Sequence, residues 1–251
     1  MEDMWPDLLY QLIMGMIDDE SDYDIKQQYH NDMIYKRCHE LELTSYLKQY
    51  YQKISTNHDL SQPLSVVELG CSFGFLFFAE QLFSDFKFKS WIGYDIDQKG
   101  ITVANKIKDS LGFDNCQFIH SATTNTNNDI LYVEDSYPLG MDIFQPGNCP
   151  VPNTHFSQLP SADIYLIDIE GACIDLDLDQ LDFKVLMIET NTKSATSKFL
   201  KLILSRENTT YRCIHSHVIK NNKDKSFYIF VKRNPENNNN NLFRSYRDNS
   251  A

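Results

Sequence analysis

From Leu64 onward, short apolar runs alternate with helix-like segments, a pattern that predicts a parallel sheet joined by crossover helices. The predicted strands are Leu64 to Leu69, Ser90 to Tyr94, Cys116 to His120, Ile164 to Ile167 and Lys184 to Ile188. Two further runs, Tyr211 to Ile219 and Ser226 to Val231, flank a polar Asn-Asn-Lys-Asp turn and predict a closing antiparallel hairpin. The chain thus reads as α/β from residue 61 to residue 233.

Three stretches break this rhythm. Before residue 61, Ile25, Tyr29, Met33, Ile34, Cys38 and Leu41 recur at three-to-four spacing, continuing through Leu47, Tyr50, Tyr51 and Ile54. That spacing predicts a helical preface over 1–60, which either packs on the edge of the main domain or covers a pocket. Between Asp135 and Pro160 lie five of the eight prolines, with Gly140 and Gly147. This excludes regular helix or central strand and predicts a long loop, either a lid or binding loop or a surface insertion. The tail, 234–251, holds the asparagine run Asn237 to Asn241 and cannot bury enough apolar surface to offset its ordering entropy.

Composition narrows the partners. A hydrophobic content of 42%, with 16 Phe and 14 Tyr, supplies a large core. The formal charge of −12 argues against a general nucleic-acid binder, since such affinity rests on cationic neutralisation of phosphates. The Lys220 to Lys225 stretch alternates with Asn and Asp and reads as a solvated turn. No apolar run approaches the roughly twenty residues of a membrane span, and the acidic start Met1 to Asp7 is unlike a secretory signal. A soluble cytoplasmic protein is expected. The six cysteines lie far apart with no Cys-x-x-Cys pair, which predicts reduced, mostly buried thiols.

The densest candidate chemistry lies in Val66-Val-Glu-Leu-Gly-Cys-Ser-Phe-Gly-Phe75, a buried strand that turns through two glycines into an apolar helix. Gly70, Cys71 and Gly74 would let the backbone turn tightly beside a ligand, with free N–H groups at the helix start. Branched side chains at Gly70 or Gly74 would then remove binding and leave the fold intact. Glu68 suits a positively charged sulfonium better than a pyrophosphate. Ser72 occupies the position where the dinucleotide signature requires glycine. About twenty-five residues on, Asp95 ends the second strand, where a carboxylate can accept both ribose hydroxyl protons. Asp97 reads as a helix cap.

These features resemble the S-adenosyl-L-methionine site of class I methyltransferases. The resemblance implies a Rossmann-like, mostly parallel sheet with a closing antiparallel hairpin, and it places Ser121 where that fold commonly has an acid reading the adenine amino group. The fourth strand strengthens it. Ile167-Asp-Ile-Glu-Gly-Ala172 resembles the Asp-Val-Glu-Gly motif of the FkbM methyltransferase family, and Val185-Leu-Met-Ile-Glu-Thr190 resembles that family's next strand. The similarity covers roughly Leu64 to Arg233. It departs at Asp95-Ile-Asp97, where that family usually has Glu-Pro, and in the proline-rich stretch.

The FkbM resemblance implies O-methylation of a small-molecule or sugar-like hydroxyl. Asp168 and Glu170, at the carboxyl end of a central strand, are the expected catalytic pair, able to take a hydroxyl proton or to hold a divalent metal. Whether a metal takes part, and the oligomeric state, are not specified by the sequence. Glu189 ends the neighbouring strand and fits either pocket or turn. His120, His215 and His217 read as packing residues, and Asp175-Leu-Asp-Leu-Asp179 as a solvated face. Two other functions fit the same features: nitrogen methylation of a macromolecule, and a non-catalytic module that retains the fold for sensing or interaction. Asp168-Ile-Glu-Gly171 stands where adenine and glutamine nitrogen methylases typically carry Asn/Asp-Pro-Pro-aromatic.

Overall fold

Val66, Val67 and Leu69 alternate between two buried layers, as a strand covered on both faces requires. The computed structural model describes Gln11, Gly15 and residues 63–83, 88–133, 147–190, 193–204, 210–218 and 226–232. The expected helical preface apart from Gln11 and Gly15, residues 135–146 of the proline-rich stretch, the Lys220 to Lys225 turn and the asparagine tail lie outside the described residues.

In chain order the strands are β1 (Leu64–Leu69), β2 (Phe88–Asp95), β3 (Cys116–His120), β4 (Ala122–Thr124), β5 (Ile130–Val133), β6 (Cys149–His155), β7 (Ala162–Ile167), β8 (Phe183–Thr190), β9 (Tyr211–Val218) and β10 (Ser226–Lys232). Helices α1 (Phe75–Phe83), α2 (Gln98–Leu111) and α3 (Lys193–Leu204) accompany them. Seven strands form the main sheet in the order β3-β2-β1-β7-β8-β10-β9. Neighbours from β3 to β8 pair in parallel, and β10 runs antiparallel to both β8 and β9. This is the mostly parallel sheet with a closing hairpin that the apolar runs predict, in the Rossmann-like form that the resemblance implies. Among the described residues no helix is long and apolar enough to cross a membrane.

Two apolar layers sandwich the sheet. Phe77 and Phe78 of α1 meet Phe113 and Phe118, and Phe77 also meets Trp91, on the face shared with Ile101, Ala104 and Ile107 of α2. Across the sheet, Phe199 of α3 stacks on Tyr228 and leans on Phe230. Three-residue spacing of the α2 core positions gives one buried stripe. Its ends are marked chemically: the Asp97 carboxylate accepts the Lys99 N–H, and Gly112 ends the helix at φ 69°.

Two crossovers differ from the predicted strand-helix rhythm. Between β3 and β7 the chain builds a second, three-stranded sheet, β4-β6-β5. The expectation that residues 135–160 contain no central strand is therefore corrected, because β6, with Pro150 and Pro152, is the middle strand. The pairing explains how prolines fit there. Residues 149–152 pair only with β5 and residues 153–155 only with β4, so the proline segment has one hydrogen-bonded side. Between β7 and β8 there are 3-10 turns at Glu170–Asp175 and Leu178–Gln180. Here Leu176 and Leu178 are buried while Asp175, Asp177 and Asp179 are exposed. A period of two cannot supply a helical stripe. The acidic stretch is the solvated face expected of it.

At the opposite end of the sheet, Asp163 joins three strands. Its carboxylate accepts from the Ser65 N–H and hydroxyl, each at 2.8 Å, and pairs with Lys184 at 2.5 Å. Burial pushes the Asp163 carboxyl up, but Lys184 and the two Ser65 donors outweigh it and hold the group below the ordinary carboxylate value. A carboxyl lowered by folding contributes stability above its unfolded pKa and loses it as pH falls through the lower folded value. Asp163→Asn is accordingly expected to cost about 2 kcal/mol at neutral pH. The gap to wild type should narrow in urea titrations as pH falls below the unfolded value near 3.9 and close once the folded carboxyl is protonated as well. A gap that persists there would assign the loss to packing.

Candidate functional site

The glycine turn is built by the chain's own crowding. Gly70, Ser72 and Gly74 all have positive φ, at 88°, 50° and 74°. The Gly70 and Cys71 N–H groups both donate to the Tyr94 carbonyl, at 2.8 and 3.2 Å, folding the turn over the end of β2. A Cβ on Gly70 would lie 1.9 Å from the Asp168 carbonyl oxygen, and one on Gly74 would lie 2.6 Å from the Phe118 ring. Both glycines are thus demanded by contacts within the protein. This corrects the expectation that branched residues there would spare the fold. Cys71 is buried, its Sγ 2.7 Å from where a Cβ on Gly93 would stand.

Register places three of the predicted residues side by side. Leu69 pairs with Tyr94 on one flank and Ile167 on the other, so Gly70, Asp95 and Asp168 follow at the carboxyl ends of three adjacent strands. The Asp168 N–H donates to the Leu69 carbonyl at 2.8 Å. Two inter-strand steps separate Asp95 from Asp168, about 10 Å between backbones. The chain leaves β1 toward β2 on one side and reaches β7 on the other, so the turn sits at the topological switch point, where open α/β sheets bind ligands.

Asp95 organises this end. Its Oδ2 accepts the Ser72 N–H at 2.6 Å and its Oδ1 the Asp97 N–H at 2.8 Å. The carboxylate therefore fixes both the glycine turn and the entry to α2, and it is only partly buried. Its carbonyl accepts the Ser121 N–H at 2.8 Å, which continues the arrangement to β3.

Asp168 is exposed, and Glu170 begins the 3-10 turn that follows; the side chain of Glu170 lies outside the described residues. Two predicted ligand contacts turn elsewhere. Glu68, 7% exposed, accepts the Trp91 indole N–H at 2.8 Å inside the aromatic layer beneath α1. Ser121 directs its hydroxyl to the carbonyls of Ala122 and Pro152 and to Thr154. The hydroxyl is thus engaged by the strands of the small sheet in this structure. Glu189 is buried on β8 opposite Phe227. His120 donates Nε2 to the Ile96 carbonyl at 3.1 Å, in keeping with packing, and the side chains of His215 and His217 lie outside the described residues. No group of three or more metal-ligating side chains occurs among the described residues.

Sequence reasoning missed Ser72 as a member of the site. It used that residue only to reject the dinucleotide signature, whereas the Ser72 N–H is what Asp95 holds. A serine at positive φ carries no local sequence signal, because only the surrounding contacts impose it.

No protein-family model matches the chain, and no curated protein sequence matches it. Solved structures resemble it at low identity. A ribosomal protein L11 methylase from Lactobacillus delbrueckii subsp. bulgaricus is 12% identical, with TM-score 0.43, covering 70% of this chain and 73% of that one. An rRNA methylase from Streptococcus thermophilus is 12% identical, with TM-score 0.41 and coverages of 68% and 88%. M. capricolum TrmK, in complex with S-adenosyl-homocysteine, is 13% identical, with TM-score 0.41 and coverages of 74% and 68%. Likeness at this level assigns no residue, substrate or activity, and the fold assignment rests on the strand order and registers given above.

Proposed function

We propose that this chain is an S-adenosyl-L-methionine-dependent methyltransferase that acts on a hydroxyl of a small or sugar-like molecule in the cytoplasm. The observation that carries the reading is the row of Gly70, Asp95 and Asp168 at the switch point of a sheet with this strand order. S-adenosylmethionine supplies an electrophilic methyl group on a sulfonium. Gly70, Cys71 and Gly74 form the turn against which it would lie, and the Asp95 carboxylate would accept its ribose hydroxyls. Glu68, which accepts the Trp91 indole N–H, lies two residues before the turn.

Asp168, exposed one strand away from the turn, would take the proton of the acceptor hydroxyl, and Glu170 stands two residues further on. Alignment of nucleophile and methyl group supplies much of the rate in an in-line displacement, so fixed strand ends suit the chemistry. Oxygen as acceptor atom rests on the likeness of Asp168-Ile-Glu-Gly171 to the FkbM motif. A small acceptor is favoured over nucleic acid by the charge of −12.

Calorimetric titration with S-adenosylmethionine and S-adenosylhomocysteine tests the cofactor. Asp95→Ala should weaken both by the same factor, about 1.5 to 3 kcal/mol, because the ribose is common to them. Failure of the wild-type protein to bind either ligand would end this reading. Binding without transfer of label from S-adenosylmethionine into a metabolite extract would identify the non-catalytic module instead.

A further inference from the structure

The crossover that carries Asp168 and Glu170 away from β7 contains no α-helix among its described residues, so its backbone must find other partners. A 3-10 turn leaves carbonyls at its end without intrahelical donors. Here three consecutive carbonyls are taken by side chains. Lys198 Nζ, from α3, donates to the Ile174 carbonyl at 2.6 Å and the Leu176 carbonyl at 2.5 Å. Asn125 Nδ2, from the turn after β4, donates to the Asp175 carbonyl between them.

The two donors come from different sides. Asn125 is itself fixed to the small sheet, its carbonyl accepting His155 Nε2 at 3.1 Å. Cys173 and Leu176, both fully buried, seat the segment on the core below. An ammonium offers three donors from one point and makes charge-assisted bonds stronger than neutral ones. Burial lowers the Lys198 pKa, while Asp175 and Asp177 act to raise it.

We propose that Lys198 is a positioning residue: by holding the Ile174 and Leu176 carbonyls it sets the path of the 168–176 segment and hence the placement of Asp168 and Glu170 toward the acceptor. The proposal rests on the methyltransferase reading of that strand end. Lys198 has no motif around it, and its part in the site comes only from where α3 packs.

The test uses full-length protein with Lys198→Met, which keeps the apolar stem, and Lys198→Arg, which keeps the charge. Three measurements are compared: amide hydrogen exchange, S-adenosylhomocysteine affinity, and transfer of labelled methyl from S-adenosylmethionine into a metabolite extract. In the Met variant, exchange over 170–176 should quicken about tenfold or more, while 64–69 and 183–190 keep wild-type protection. Transfer should fall about tenfold or more at unchanged S-adenosylhomocysteine affinity, since small misplacements near the chemistry are costly in rate. The Arg variant should recover most of it.

Unchanged exchange over 170–176 overturns the proposal, as does a loss of protection spread over every strand, which would mark Lys198 as a general fold contact. Wild-type transfer matched by the Met variant overturns this proposal alone. A wild-type protein that transfers no label overturns the underlying reading and the proposal with it.

Discussion

Gly70→Ala should lower the free energy of unfolding by about 3 kcal/mol or more, a large share of the roughly 5 to 15 kcal/mol of an ordinary domain. Two costs coincide at that position. A φ of 88° strains any residue with a Cβ, and the added carbon would stand 1.9 Å from the Asp168 carbonyl oxygen and 2.8 Å from its carbon. Backbone atoms of paired strands cannot swing aside as a side-chain tip can. Either β7 moves away from β1, which breaks the bond from the Asp168 N–H to the Leu69 carbonyl, or the turn opens and releases Tyr94. Gly112→Ala is the internal control. It has φ 69° with no atom within 4 Å of the added Cβ, so it should show the strain alone, about 1 kcal/mol. Urea midpoints at constant slope measure both. A folded Gly70→Ala protein of near wild-type stability would show that the turn has room to spare, and the glycine would then return to being a ligand requirement.

The largest functional effect is expected from Asp168→Asn, with transfer falling about a hundredfold or more in the range of general acid-base contributions. Shape is retained and charge removed. Because the change keeps the shape of an exposed side chain and leaves the backbone bond to Leu69 in place, S-adenosylhomocysteine affinity should move far less than transfer. Glu170→Gln provides the comparison. A cap or ion-pair role would lower the melting temperature and spare the rate, whereas a catalytic role would do the reverse. Full transfer activity in both variants would leave alignment as the whole mechanism and withdraw the carboxylates from it.

The parallel strands were legible because buried strands announce themselves. Val66 to Leu69, broken only by Glu68, and Ile164 to Ile167 are apolar runs, and such runs need no partner to be recognised. The hairpin of β9 and β10, the cap at Asp97 and the glycine turn were likewise readable, since each depends on residues close together in sequence. Asp95 and Asp168 could be placed at strand ends for the same reason. The small sheet was not legible. Pro150 and Pro152 argue against a central strand, and only the half-strand pairing of β6 to different neighbours makes them acceptable.

Side-chain direction and partner choice at the site also lay beyond the sequence. Nothing local says that Glu68 turns to Trp91, that the Ser121 hydroxyl goes to Pro152, or that Lys198 reaches the carbonyls after Asp168. These contacts span from 22 to 31 positions along the chain. The glycines show the division most directly. Their presence marks a turn in the sequence, but what excludes a Cβ at Gly70 is the carbonyl of a strand 98 residues away in numbering, brought there by the β1–β7 register. Local conformational preference is written in neighbouring residues, whereas steric exclusion and hydrogen-bond partnership belong to whichever surfaces the packed sheet brings together.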